Sequence, residues 1–260
     1  MLHHRTIGTG TPIILLHGVA LDHRHMMDVM EPCFRGVGAW QRIYVDMPGH
    51  GLSAARDDIQ SQDDLLNAVR EFIEAKLPNE RFAIAGLSRG SYIARGLVHT
   101  MPEHISGVAL FVPGGNPSSD PKRIPAPQVI IGDNTILPEL SEAEIWAHEN
   151  MSVIQRWDIV EKRRQIIAPA RALFDADQET RIMNAFDFSF AEEEEATTVN
   201  VPSLVVVGRQ DSISGYLDGV DIMHRFPRAT LAVLDTAGHA LAWERPEVFH
   251  ALVRDWLDRL

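Results

Sequence analysis

The sequence predicts one α/β domain, a mainly parallel twisted sheet with helices on both faces and a helical cap insertion. Three observations carry this prediction. Short, continuous apolar runs bounded by turn formers recur along the chain, as strands buried on both faces require. Helical patterns separate most of those runs, which implies βαβ crossovers. The 260 residues, 45% hydrophobic and 23% charged, can supply one sizeable core and lie far from the composition of disordered chains.

Ile13 to Leu16, between Pro12 and His17, is the first apolar run, and Ile43 to Val45 is the second. Leu65, Leu66, Val69, Phe72, Ile73 and Leu77 then recur with the spacing of an amphipathic helix, which Pro78 ends. Phe82 to Ala85 and Val108 to Val112 are the next strands. From Pro113 to Asn200 the alternation stops. A loop-rich stretch through Pro127 gives way to helical patterns, with Ser141 and Glu144 in capping-box spacing. Residues 114–200 are read as a helical cap over the C-terminal edge of the sheet, where open α/β sheets place their ligands, with residues 1–113 and 201–260 as the core. The run Glu192 to Glu195 reads as a solvated helix face. Leu204 to Val207 and Leu231 to Leu234 resume the sheet. After Pro246, the stripe of Val248, Phe249, Leu252, Val253, Trp256, Leu257 and Leu260 marks a last helix docked on it.

Charge and cysteine usage exclude several functions. With 36 acidic against 24 basic side chains the net charge is −12, and no basic cluster interrupts it, so no nucleic-acid partner is expected. Cys33 is the single cysteine and forms no internal disulfide; it is expected as a small buried side chain. No apolar run near the start reaches the length of a membrane span or a signal-peptide core. The expectation is a soluble cytoplasmic protein without a membrane partner.

Gly86-Leu87-Ser88-Arg89-Gly90 follows a strand and precedes a helical stretch from Ser91 to Met101. A strand that turns abruptly into a helix brings backbone segments together where a Cβ would clash, so glycines flank a strained, exposed serine. A serine hydroxyl is a weak nucleophile at neutral pH and needs a base, which itself needs an orienting group. His239, in the loop between the strand ending at Leu234 and the last helix, lies at the same sheet edge as Ser88 and is the candidate base. Asp211, just after the strand ending at Val207, is the candidate acid; Asp235, nearer to His239 in sequence, reads as a turn residue.

These motifs resemble the α/β-hydrolase family: Leu16-His17-Gly18 after an early strand, Asp46 through Ser53 after the next, the elbow at Ser88, the acid loop at Asp211, and Gly238-His239 near the end follow the family's order. The resemblance implies a Ser88–His239–Asp211 triad, a lid formed by the insertion, and an oxyanion hole made by the backbone N–H groups of Val19 and Arg89. It also makes Asp46 and His50 structural, although their residue types look catalytic. The triad needs no cofactor or metal, and none is expected; Asp22, His23 and His25 match no recognised ligand spacing, although His23 or His25 could line the pocket.

The implied activity is that of a serine hydrolase acting on a small-molecule acyl substrate through an acyl-enzyme on Ser88. Serine at the elbow, rather than a carboxylate, separates the chain from the dehalogenase and epoxide-hydrolase branches. Carbon–carbon bond hydrolysis with the same triad and a non-catalytic ligand-binding role are the alternatives. Three features depart from the family pattern. Ser91 stands where relatives often carry glycine, the Arg89 side chain sits beside the nucleophile, and the short stretch before His17 leaves room only for a shortened N-terminal hairpin.

Overall fold

The computed structural model describes residues 1–114 and 123–260. Residues 115–122, part of the expected loop-rich stretch, lie outside the described residues. Seven strands form one sheet: β1 (His4–Ile7), β2 (Thr11–Leu16), β3 (Trp40–Val45), β4 (Phe82–Leu87), β5 (Ile105–Phe111), β6 (Ser203–Gly208) and β7 (Ala229–Leu234), in the order β1-β3-β2-β4-β5-β6-β7. Every neighbouring pair is parallel except β1 with β3. The edge strand β1, absent from the sequence reading, is short, polar and largely unburied, so it carries no apolar run to detect. It is the shortened sheet edge that was expected.

Alternation sorts the strand side chains onto two cores. Ile14, Leu16, Ile43, Val45 and Ile84 face α2 (Gln62–Lys76) and α3 (Arg89–Thr100). Ile13, Leu15, Tyr44, Ala83 and Ala85 face α1 (His23–Met30) and the C-terminal helix α11 (Pro246–Asp258). Ser61 caps α2 by accepting from the Asp64 N–H, and Pro246 opens α11 at the position where a missing N–H costs nothing.

Between β5 and β6 the described chain is helical: α4 (Glu142–Met151), α5 (Trp157–Lys162), α6 (Ala168–Arg171), α7 (Ala176–Asn184) and α8 (Ala191–Ala196). The Ser141 and Glu144 capping box forms at the start of α4. One π-helical turn, Arg163–Ile167, joins α5 to α6. The glutamate run is not wholly solvated. Glu194 turns inward from α8, 2% exposed, and pairs with Arg95 at 2.6 Å and with buried Arg225. After β6 come α9 (Leu217–Asp221) and, past β7, α10 (Leu241–Glu244). No helix among the described residues is long and apolar enough to cross a membrane.

Candidate active site

The parallel sheet delivers three loops to its C-terminal edge. At the end of β4, Ser88 turns into α3 with φ 53° and ψ −117°, a left-handed conformation that costs a non-glycine residue about 1–3 kcal/mol. The flanking glycines permit the turn. A Cβ on Gly86 would lie 2.1 Å from the Gly90 carbonyl oxygen, and one on Gly90 would lie 2.3 Å from that of Leu16. Ser91 clamps the elbow from behind: its hydroxyl donates to Gly86 O at 2.7 Å and accepts from Phe111 N at 3.1 Å, tying β4 and α3 to β5. Serine at this position thus adds hydrogen bonds that glycine could not.

Asp211 follows β6 and is fully buried. Its Oδ1 accepts the Ile213 and Ser214 N–H groups at 2.9 and 3.0 Å, which aims Oδ2 at His239 Nδ1, 2.9 Å away. Gly208 allows this approach, because a Cβ there would sit 2.5 Å from the carbonyl oxygens of Ala237 and Gly238. Ser214 Oγ lies 3.1 Å from the same imidazole nitrogen. With the Nδ1 proton directed at a carboxylate, Nε2 is the basic nitrogen. Burial works against a charged imidazole, but the field and hydrogen bond of Asp211 outweigh it and raise the His239 pKa above its ordinary 6.5. Asp235 is exposed and engages Gln210 and Thr236 instead. Ser88 and His239 line one cavity of about 730 Å³ and make no hydrogen bond to each other.

Val19 and the backbone of Gly18 border the same cavity. His17 holds that peptide: its Nδ1 donates to Gly18 O at 2.7 Å while Nε2 accepts the Met47 N–H at 3.0 Å. In a planar trans peptide the N–H opposes the carbonyl, so pinning Gly18 O also fixes the direction of the Val19 N–H. Burial lowers the His17 pKa and keeps this two-sided role in the neutral tautomer. The Arg89 N–H is the first of α3, at the positive end of its dipole.

Most of the other singled-out residues are engaged in contacts within the fold. Burial works against the Asp46 charge, yet donors from His23 and Leu52 outweigh it and hold the carboxyl far below the usual range. His50 donates from Nδ1 to Pro48 O at 3.0 Å and is pushed down to about 3 by burial. His3, His23 and Asp46 are the one set among the described residues grouped closely enough for a metal, but Asp46 already accepts both imidazoles and two backbone N–H groups. Asp22 caps α1 and pairs with Arg24. Of the two histidines after the oxyanion loop, His25 lines the cavity and His23 does not.

The inserted helices form the opposite wall. Arg89 does not reach into open space: it pairs with Glu179 of α7 at 2.5 Å, donates to Gln62, and lies over Phe186. Among the aromatic residues of the insertion, Phe186 lines the cavity, Phe188 and Phe190 stack in the core with Tyr92 and His99, Phe174 packs on His50, and Trp146 is exposed. Buried Glu244 of α10 accepts from Gly238 N at 2.6 Å and Val153 N at 2.7 Å, so one carboxylate joins the His239 loop to the insertion. Nothing in the sequence marked Glu244 or Ser214 for these tasks, because their contacts with Val153 and His239 join residues distant in the chain.

A family model described as "Alpha/beta hydrolase family" matches residues 13–252. The chain is 23% identical to a 2-hydroxy-6-oxononadienedioate/2-hydroxy-6-oxononatrienedioate hydrolase of Burkholderia vietnamiensis, over 99% of this chain and 91% of that one. It is 27% identical to a pimeloyl-[acyl-carrier protein] methyl ester esterase of Nitrosomonas europaea, over 95% and 96%. Among solved structures, an alpha/beta superfamily hydrolase from Oenococcus oeni superposes with a TM-score of 0.90 at 25% identity, covering 99% of this chain and 96% of that one.

Proposed function

This chain belongs to the alpha/beta hydrolase family, and from that premise we propose that it is a serine hydrolase cleaving small-molecule esters through an acyl-enzyme on Ser88. His239 Nε2 takes the Ser88 proton as Oγ attacks the substrate carbonyl, and Asp211 holds the imidazole tautomer and stabilises the imidazolium. The Val19 and Arg89 N–H groups receive the developing oxyanion. Collapse of the tetrahedral species expels the alcohol, protonated by His239. Water activated by the same imidazole then releases the acid. In this reading the insertion acts as a lid: its helices supply part of the lining of the cavity that Ser88 also lines, a position from which they limit the access of bulk water to the acyl-enzyme.

The single observation that carries this reading is the Asp211–His239 hydrogen bond at the rim of the cavity that Ser88 also lines. Similarity to an esterase supports an ester as substrate. The similarity to a hydrolase of a 2-hydroxy-6-oxo dienedioate favours one second reading. That compound contains no ester, so hydrolysis at its 6-oxo carbon breaks a carbon–carbon bond, and the same triad would serve. Replacing Ser88 by Ala is expected to lower ester turnover by roughly 10⁴-fold or more. Unaltered turnover in S88A refutes the assignment, whereas ring-fission diketones cleaved faster than esters by the wild-type chain select the second reading.

A further inference from the structure

The cavity wall built by the inserted helices carries more positive charge than the described carboxylates lining it balance. Arg163, Arg164 and Arg171 all line the cavity from the continuous α5-π-α6 rod, where Arg163, Ile167 and Arg171 follow one another at four-residue steps and Ala168 follows Arg164 at the same step. Arg89 is a fourth lining guanidinium, and Glu144 and Glu179 are the lining carboxylates. Two pairings are complete: Arg164 with Glu144 at 2.5 Å and Arg89 with Glu179 at 2.5 Å. Arg163 and Arg171 have no ion pair with any described residue, on a chain whose net charge is −12.

Arg163 is the more constrained of the two. Its hydrogen bond among the described residues runs from Nη2 to Met151 O at 3.3 Å, one contact for a group with five donors. Burial lowers its pKa, and Glu244 opposes that through space. Glu244 is no contact partner: its oxygens accept Val153, Ile154 and Gly238 N–H groups. Arg163 is half-buried, and a guanidinium partly withdrawn from water with donors left over is costly unless something of opposite charge completes it. The remaining lining is largely apolar, including Leu21, Met151, Ile213 and Trp243.

We propose that the cavity takes an acyl substrate bearing a second, non-reacting carboxylate, which the Arg163 guanidinium receives in a bidentate pair while Arg171 draws the anion toward the cavity. A planar carboxylate matches one guanidinium fork, and an apolar spacer between that carboxylate and the scissile carbonyl matches the remaining lining. The inference rests on the hydrolase reading for turnover but not for binding.

The test compares p-nitrophenyl half-esters of linear dicarboxylic acids with p-nitrophenyl esters of monocarboxylic acids of equal length. The ratio of kcat/KM values, charged over neutral, should exceed one for the best length in the wild type and fall by about 10- to 100-fold in Arg163→Gln, the range for one charge-assisted contact. Arg163→Lys, which keeps the charge but loses the fork, should recover part of the ratio. Calorimetric titration of the intact chain with the free dicarboxylate needs no turnover. Binding that Arg163→Gln weakens upholds the inference even if no ester is cleaved. Hydrolysis with no preference for the half-ester, a ratio that Arg163→Gln leaves unmoved, or equal dicarboxylate binding by both proteins overturns it and leaves the hydrolase reading standing.

Discussion

In the proposed mechanism, Asp211 and His239 are where single side chains decide the chemistry. Asp211→Asn keeps the shape of the acid but offers Nδ1 no full charge, so the imidazole loses both its fixed tautomer and the partner for its protonated form. Turnover should fall by roughly 10³- to 10⁴-fold with the fold intact, while Asp235→Asn, at an exposed turn bonded to Gln210, should leave it within about twofold. Equal losses in both variants, read by steady-state kinetics with circular dichroism as the folding control, would move the acid role elsewhere. The pH profile follows from the raised His239 pKa. A general base works only when neutral, so kcat/KM should decline as pH drops through a midpoint above 6.5. In Asp211→Asn the field that raises the pKa is gone while burial remains, and the midpoint of the residual activity should move to lower pH. A midpoint that stays in place contradicts the assigned pair.

At the scale of elements, the sequence was most legible where burial is two-sided. The apolar runs of β2 through β6 are continuous because both faces of those strands are covered, and the stripe of α11 is the one face that docks on the sheet; β7, an edge strand, is only partly buried yet kept its run. Strand β1 escaped because an exposed edge needs no such run, and α8 was misread because its charge run hides one inward-facing member. Glu194 joins Arg95 of α3 and buried Arg225, a pairing no local pattern encodes since its partners lie about 100 and 30 residues away. Removing one partner of a buried pair leaves the other charged and desolvated, so Glu194→Gln should lose about 3–5 kcal/mol of stability. Its exposed neighbour gives the control: Glu192→Gln should change stability by less than about 0.5 kcal/mol. Urea denaturation midpoints that shift equally in the two variants would mean that α8 is held by something other than this pair.

Across the whole molecule, function arises because a parallel sheet carries residues distant in sequence to one edge. The succession of strands β2 to β7 along the chain and the loops after β4, β6 and β7 could be read from the sequence, and with them the positions of Ser88, Asp211 and His239; the order β1-β3-β2-β4-β5-β6-β7 within the sheet could not. The inserted helices could be read as helices, but not which way they face. Rotation of a short helix about its own axis is set by contacts such as Lys162 with Asp28 and Glu244 with Val153, which exist only once the parts meet. Hence Trp146 proved exposed, Phe186 alone of the insertion's phenylalanines and tryptophans borders the cavity, and the arginine-bearing wall carries no motif. The acidic surface and the cationic cavity are separate facts about the same chain, and composition reports only their sum.

The central claim is that Ser88 becomes covalently bonded to the acyl group during turnover. Intact-protein mass spectrometry after treatment with a fluorophosphonate, followed by peptide mapping, addresses it directly. One adduct per chain, located on the peptide containing Ser88 and missing in Ser88→Ala, is the predicted result. An adduct on another residue, or ester cleavage at the wild-type rate in Ser88→Ala, would contradict the account.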